Sequence, residues 1–339
     1  LRTDLIGTTR APRLLRLVEN TEKHRAQLRS LNIAVVAGGF SEEAEVSLKS
    51  GTSVYHALLQ RDYRAELIEL GPMNRGQISR LIEFDLAVNM LHGAFGEDGS
   101  FEGLCRMLGI RSLGSPVEAA ALTFNKDLTK RIFTAMGIPT PPWTAIRSRE
   151  ELEAKRERLA ELGPPWVVKP MASGSSIGVR QVGRGEDLSA AVEKTLAEFR
   201  AAVVESYIPG RELTVAVVGV KEPFALPVVE IAPKEGWYDY RHKYEKGATE
   251  LICPARLERR IAERLMALAE EAYTALGVLV LARFDVRLGE DGEAFFLEVN
   301  TIPGFTSTSL FPTAAEGVGL GYGELIECLL YLSYFEKEG

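Results

Sequence analysis

Asp285, Glu298 and Asn300 could bring hard oxygen ligands to one cation. All three fall in the stretch RFDVRLGEDGEAFFLEVN, residues 283–300, which reads as two strands around the turn Gly289-Glu290-Asp291-Gly292. Strand side chains alternate between faces with period two. One face then carries Phe284, Val286 and Leu288 with Phe295, Leu297 and Val299, an apolar set suited to a core. The other carries Arg283, Asp285 and Arg287 with Phe296, Glu298 and Asn300. A symmetric hairpin register puts Arg283 opposite Glu298, with Asp285 one step along. Two carboxylates and an amide oxygen on a rigid ribbon suit Mg²⁺, which takes one or two carboxylates alongside phosphate oxygens. The same pattern also describes a solvated strand face with an Arg–Glu cross-strand pair. The hairpin alone does not decide between them.

A second group of residues suits an anion. Ser173-Gly174-Ser175-Ser176-Ile177-Gly178 lies between two strands, so it is not the GxxxxGK[ST] loop that opens a helix. Gly174 and Gly178 permit close backbone approach, and successive N–H groups can cradle an anion. In isolation this reads as a turn. Lys169 ends the strand before it, and Lys126 starts a helix further upstream. Two lysines, a Gly-Ser loop and a carboxylate ribbon together fit a nucleoside triphosphate. Residues 203–212 read as an edge strand running into a linker, whose backbone could meet an adenine edge while Glu212 bonds ribose hydroxyls; an ordinary interdomain linker reads the same way. His92 follows a buried strand among glycines, and Glu43 sits at a helix start, where a carboxylate gains from the helix dipole.

The elements that must position these groups alternate in type. From Leu31 the pattern gives strands at 32–37, 64–70 and 85–90, helices at 43–60 and 99–108, and a short strand near Ile110. That is the signature of a doubly wound parallel sheet, which binds ligands beyond the carboxyl ends of its strands. A second unit starts near Gly114-Ser115-Pro116, with two helices over 117–136 and strands at 166–169, 179–182 and 202–206. A third has long strands at 212–220 and 225–231, a polar loop at 232–250, a helix at 255–276, the hairpin, and a final helix at 322–336.

The 339 residues suffice for two or three domains. A formal net charge of -7 argues against nucleic acid or an anionic membrane as main partner. No apolar run approaches the roughly 18 residues of a membrane span. Cys105, Cys253 and Cys328 show no paired spacing, which fits a reducing cytoplasmic compartment. Residues 1–30 are basic and polar, lack the apolar region of a secretory signal, and read as a leader, either helical over 12–29 or disordered.

From Ile33 to the C-terminal helix the chain resembles the D-alanine–D-alanine ligases of the ATP-grasp superfamily. The motifs that carry the resemblance are GGFSEEAEVSLKSG (38–51), LHGAFGEDG (91–99), KPMASGSSIGV (169–179), WYDYRHKY (237–244), ARFDV (282–286) and LEVNTIPGFTSTSL (297–310). It implies an α/β fold: an N-terminal doubly wound parallel-sheet domain (31–114), then a two-domain, α+β ATP-grasp unit (115–207 and 208–339). It further implies ATP between those two domains, two Mg²⁺ or Mn²⁺ ions, D-alanine as substrate, and a homodimer. Carried over residue by residue, Lys126, Lys169 and Lys243 face the phosphates, with Ser175 and Ser176 in the anion loop. Glu205, Ser206 and Ile208 lie at the adenine, Glu212 at the ribose, and Trp237 and Phe296 beside the purine. Asp285, Glu298 and Asn300 hold metal. Glu43 and His92 meet the first D-alanine, Arg283 and the Gly304 backbone the oxyanion, and Ser309 the second carboxylate. Ser175, Tyr244 and Glu43 form a triad that closes the 232–250 loop.

The resemblance implies ligation of two D-alanines through an acyl phosphate for peptidoglycan synthesis. Another carboxylate–amine or depsipeptide ligase of the superfamily is the alternative. Lys243-Tyr244 stands where depsipeptide-forming relatives carry a histidine, which favours D-alanine over D-lactate as second substrate. Two departures stand out. Arg287 occupies a nucleotide-facing position where a large apolar residue is expected, and Ser206 replaces a lysine found in some relatives, so any adenine contact there is through backbone.

Overall fold

The computed structural model describes residues 1–233 and 249–337. It opens with a long helix, α1 (Gly7–Ser30), so the leader is helical from Gly7, with Pro12 accommodated in its first turns. Next come β1 (Asn32–Gly38), α2 (Ala44–Leu59), β2 (Arg64–Leu70), β3 (Leu86–Asn89), α3 (Ser100–Leu108) and β4 (Arg111–Leu113). The four strands form a parallel sheet in the order β2-β1-β3-β4. The central strands β1 and β3 are buried almost throughout, the usual consequence of covering a parallel sheet on both faces.

The next unit contains α4 (Val117–Phe124), α5 (Lys126–Ala135), β5 (Trp143–Ile146), α6 (Arg149–Ala154), α7 (Arg156–Leu162), β6 (Trp166–Pro170), β7 (Arg180–Val182), α8 (Leu188–Phe199) and β8 (Ala202–Ser206). Asn125 caps α5 by accepting from Leu128 N–H at 3.2 Å. The antiparallel sheet runs β5-β8-β6-β7. β8 is therefore an internal strand and not the edge expected from sequence: β5, an unanticipated strand, covers its outer side. Val168, Ala202 and Val204 face Leu152, Leu159 and Val192 of the helices. By alternation Val167, Lys169, Val203 and Glu205 face the other way.

The last sheet is built from β9 (Gly210–Gly219), β10 (Phe224–Ala225), β11 (Val229–Pro233), β12 (Thr249–Ile252), β13 (Val280–Gly289) and β14 (Ala294–Asn300), in the order β12-β11-β9-β13-β14 with β10 on β9. The helix α9 (Arg259–Ala275) packs on it through Leu265, Met266 and Ala269. Two helices finish the chain, α10 (Leu310–Gly317) and α11 (Tyr322–Tyr331), the latter widening into a π-turn at 332–336. Among the described residues no helix is long and apolar enough to cross a membrane.

The register of the β13–β14 hairpin differs from the symmetric one. Arg283 pairs with Asn300, Phe284 with Val299 and Asp285 with Glu298; the pairing then shifts so that Val286 faces Phe296. Leu297 is the extra residue of a β-bulge. Residues 297 and 298 turn consecutively toward the same side, and Phe296 is flipped into the core with Phe284 and Val286.

The first and last sheets share one core, in which Ile33 and Val35 of β1, Leu14 and Leu28 of α1, and Leu325, Ile326 and Leu329 of α11 belong to the same apolar cluster as Ala216 of β9. At its edge Glu327 of α11 is fully buried. It accepts from Arg61 at 2.6 Å and Tyr63 at 3.0 Å, with Arg25 of α1 at 3.3 Å. Burial pushes its carboxyl up, but the Arg61 and Tyr63 hydrogen bonds and the arginine charges outweigh that and hold it below the usual carboxylate range. Removing one member of a buried pair strands the other charges, so Glu327→Gln should lower unfolding stability at pH 7 by about 3 kcal/mol. A depressed carboxyl stabilises above its unfolded pKa and loses that contribution as pH falls through its folded value. The gap between wild type and variant in urea unfolding should therefore close below about pH 4; a gap constant from pH 7 to pH 3 would contradict this assignment.

Candidate functional site

A cleft opens between the cleft-facing sides of the second and third sheets. Strand alternation delivers Val167, Lys169 and Glu205 from β6 and β8, and Asp285, Arg287 and Glu298 from β13 and β14. Lys169 Nζ lies 2.9 Å from Glu205, and Lys130 of α5 lies 3.1 Å from the other Glu205 oxygen. Burial pushes the Glu205 carboxyl up, yet the two lysines outweigh it and hold the group below its ordinary range. Burial likewise lowers Lys169, but Glu205 and Glu298 bring it to a net increase. Lys126, at the start of α5, donates to the Ser173 carbonyl at 2.6 Å and lies 3.4 Å from Glu298.

The Gly-Ser loop is backbone-strained. Ser175 and Ser176 have φ of 49° and 59°, the left-handed region that non-glycine residues rarely occupy. The Ser175 hydroxyl donates to Glu43 across the gap to the first domain. Glu43 is also hemmed in by glycines: a Cβ on Gly93 or on Gly174 would lie 2.8 Å from its Oε2. Close approach of three separate segments thus fixes this carboxylate, and a side chain at either glycine would displace it.

On the hairpin, Arg283 donates to Asp285 through both Nε (2.7 Å) and Nη2 (2.9 Å). Two carboxylates directly opposite on neighbouring strands repel; here Arg283 offsets one and Lys126 the other. Asn300 Oδ1 accepts from Ile302 N–H at 3.0 Å. Among the described residues no cluster of three His, Cys, Asp or Glu side chains gathers. The candidate cation donors are therefore the cross-strand pair Asp285 and Glu298 with the Asn300 amide oxygen. This all-oxygen set is the type that hard divalent ions take.

Glu212 and Ile208 also line the cleft, and both are tied to Arg287. Arg287 donates to Glu212 at 3.0 Å, to the Ile208 carbonyl at 3.1 Å and to the Tyr207 hydroxyl at 2.9 Å. The departure noted in the sequence is thus a clamp on the 207–212 segment. Ser206 lines the cleft too, but its hydroxyl turns away to the Leu162 carbonyl. Phe296 is a correction: it is fully buried against Phe133 and Phe284 and belongs to the core. The bulge puts Leu297 on the cleft wall in its stead. Trp237, Lys243 and Tyr244 lie outside the described residues.

At the first-domain side, buried His92 stands with Nε2 3.3 Å from Ser50 Oγ and Nδ1 3.5 Å from Glu97. Ser50 Oγ in turn accepts from Phe305 N–H at 3.1 Å, tying α2 to the segment that holds Gly304. Burial pushes the Glu97 carboxyl up, further than His92 draws it down. Ser309 occupies the N-cap of α10 and pairs with Thr306 at 2.8 Å, so the helix N-terminus, favourable to a carboxylate, faces the 304–309 turn. Lys130, Ser50 and Glu97 escaped the sequence reading. Glu97 lay in a motif already singled out, whereas Lys130 had only a helical spacing of four from Lys126.

Residues 132–331 match the family model described as "D-ala D-ala ligase C-terminus". The D-alanine–D-alanine ligase of Pelotomaculum thermopropionicum is 42% identical over 311 residues, covering 90% of this chain and 97% of that protein. The crystal structure of the VanG D-Ala:D-Ser ligase from Enterococcus faecalis aligns with a TM-score of 0.78 at 30% identity, over 89% of this chain and 98% of that one. D-alanine–D-alanine ligase from Bacillus anthracis complexed with ATP aligns with a TM-score of 0.76 at 29% identity, over 89% and 97%. Identity above 40% over nine-tenths of the chain, on the fold and cleft described, leads to one conclusion: the chain belongs to the D-alanine–D-alanine ligase family of ATP-grasp enzymes.

Proposed function

We propose that this chain joins two D-alanines to D-alanyl-D-alanine in the cleft, converting ATP to ADP and phosphate, as a cytoplasmic homodimer supplying peptidoglycan synthesis. The observation that carries the reading is the Glu43–Ser175 contact. Glu43, the carboxylate assigned here to an ammonium, meets the loop whose Ser173 carbonyl accepts from Lys126, which supports an ammonium subsite beside a phosphate subsite.

Glu43 takes the ammonium of the first D-alanine, beside His92. A carboxylate oxygen of that D-alanine attacks the γ-phosphorus, the bond to the ADP oxygen breaks, and an acyl phosphate forms. Lys126 and Lys169 hold the phosphates, with Ser175 and Ser176 in the loop beneath them. Glu205 and the 206–208 backbone meet the base, with Leu297 on the wall, and Glu212 meets the ribose. Asp285, Glu298 and Asn300 would hold two Mg²⁺ or Mn²⁺ ions, which supply charge neutralisation at the phosphates. The amine of the second D-alanine, its carboxylate held at Ser309, attacks the acyl carbon. Arg283, oriented by Asp285, and the Gly304 backbone face the oxyanion; phosphate then leaves, taking up the proton that the nitrogen sheds as the amide forms. Catalysis is positioning and charge stabilisation without a covalent enzyme nucleophile. Water must be kept from the acyl phosphate, the role assigned to the segment bearing Trp237, Lys243 and Tyr244 together with Ser175.

Phosphate release from ATP should depend on D-alanine, with a product of dipeptide mass. The likeness to a D-Ala:D-Ser ligase makes D-serine the competitor to include, and D-lactate should be a poor one. ATP turnover indifferent to D-alanine would contradict the proposal. Glu298→Gln should remain folded and lose turnover by roughly 100-fold or more; near-normal activity across Mg²⁺ concentrations would remove Glu298 from the site. Gly174→Ala, which drives a methyl against Glu43, should reduce kcat/KM for D-alanine by about 100-fold with an unchanged melting temperature. An unchanged kcat/KM would show that Glu43 does not need its observed position.

A further inference from the structure

Glu205 has an ammonium group on each oxygen. Lys169 lies 2.9 Å from Oε2 and Lys130 3.1 Å from Oε1. One cation neutralises one buried carboxylate, so the second is a surplus buried charge, which is costly unless something else draws on it. The two lysines face different surroundings. Lys169 lines the cleft with Glu205. Lys130 is fully buried on α5, behind the wall, and donates to Thr140 Oγ1 at 2.7 Å. The Trp143 ring, whose residue pairs with Glu205 across β5 and β8, has its centroid 5.7 Å from Lys130 Nζ. An anion entering the cleft can therefore draw away Lys169 but not Lys130.

We infer that Lys130 is the permanent counter-ion of Glu205, a positioning residue that keeps this carboxylate ionised and aimed into the cleft after a nucleotide has drawn Lys169 to its phosphates, so that Glu205 selects a base bearing an exocyclic amine. This rests on the nucleotide reading of the cleft. The carboxylate accepts from an amine such as that of adenine and repels the carbonyl oxygen that hypoxanthine carries in its place. Burial pushes Lys130 down to about 8, so it still carries its proton at pH 7 beside Glu205. Without Lys130, Lys169 would remain the sole partner of Glu205, and phosphates and base would both lose a contact.

The test compares ATP with ITP, which differ at the 6-position and in the proton that N1 of hypoxanthine carries; the backbone at 206–208 is unchanged in every variant, so a change in the ratio on mutation reports on Glu205 and Lys130. Lys130→Met keeps an unbranched, mostly apolar side chain one atom shorter and removes its charge. It should raise KM for ATP and shrink the ATP-over-ITP preference in kcat/KM, each by about tenfold or more. A purely packing role would lower the melting temperature and leave the ATP-to-ITP ratio at the wild-type value, which would overturn the inference. Should Lys130→Met not fold, Lys130→Met/Glu205→Gln, which removes both charges, replaces it. Its ATP-to-ITP ratio should equal that of Glu205→Gln alone, because Lys130 acts only through Glu205; a further loss in the double variant would overturn the inference. The two levels separate cleanly. Glu205→Gln without effect on nucleotide preference removes the base from this wall, whereas an effect of Glu205→Gln with none from Lys130→Met removes Lys130 alone.

Discussion

Charge compensation among the buried side chains of the cleft is the constraint on which this structure turns. Moving an ionised group out of water costs several kcal/mol even after relaxation, and the site gathers many. Four of its carboxylates have an opposite partner: Glu205 with Lys169 and Lys130, Glu298 with Lys126, Asp285 with Arg283, Glu212 with Arg287. Groups suited to phosphates are thereby paired with groups suited to metal, ribose or base. Ligand binding then exchanges one compensation for another, so the protein does not have to hold bare charges while it waits for substrate.

Three features of the backbone make that pairing possible. Period-two alternation in β6 and β8 sends Val168 and Val204 to the helices and Lys169 and Glu205 to the cleft. The bulge at Leu297 sets Asp285 opposite Glu298 and aligns two carboxylates that a regular register would stagger. Gly93 and Gly174 leave the room that Glu43 needs to reach the Gly-Ser loop. The shared core of the first and last sheets, braced by α1 through Arg10 to Glu263 and Glu270, keeps Glu43 and the hairpin on one rigid frame.

Much of this was legible beforehand, for identifiable reasons. The βα alternation of residues 31–113 is strongly periodic, and its strands and helices fall within a residue or two of expectation. The hairpin was also readable as a hairpin, but its register was not, because a bulge depends on contacts such as Phe296 N–H to the Pro139 carbonyl that no local pattern announces. That one residue moved Phe296 from the cleft to the core. β5 was missed because four residues, Trp-Thr-Ala-Ile, carry little periodic signal. Its omission made β8 look like an edge. Lys130 was invisible for a related reason: a lysine on a helix reads as solvated, and only the tertiary structure buries it against Glu205. Arg287 stands out in the sequence, while its role as a clamp on Glu212 and the Ile208 carbonyl depends on tertiary contacts.

In the proposed reaction a carboxylate oxygen of the first D-alanine, its ammonium at Glu43, attacks the γ-phosphorus of ATP. That oxygen is the atom that tells acyl-phosphate chemistry from simple hydrolysis. D-alanine labelled with ¹⁸O in both carboxylate oxygens, supplied with unlabelled ATP and water, gives a direct reading by mass spectrometry of the released phosphate. The account predicts one ¹⁸O in the phosphate for each dipeptide formed, since the attacking oxygen departs with phosphorus when the amine closes the peptide bond. Phosphate carrying no label while dipeptide accumulates would contradict it.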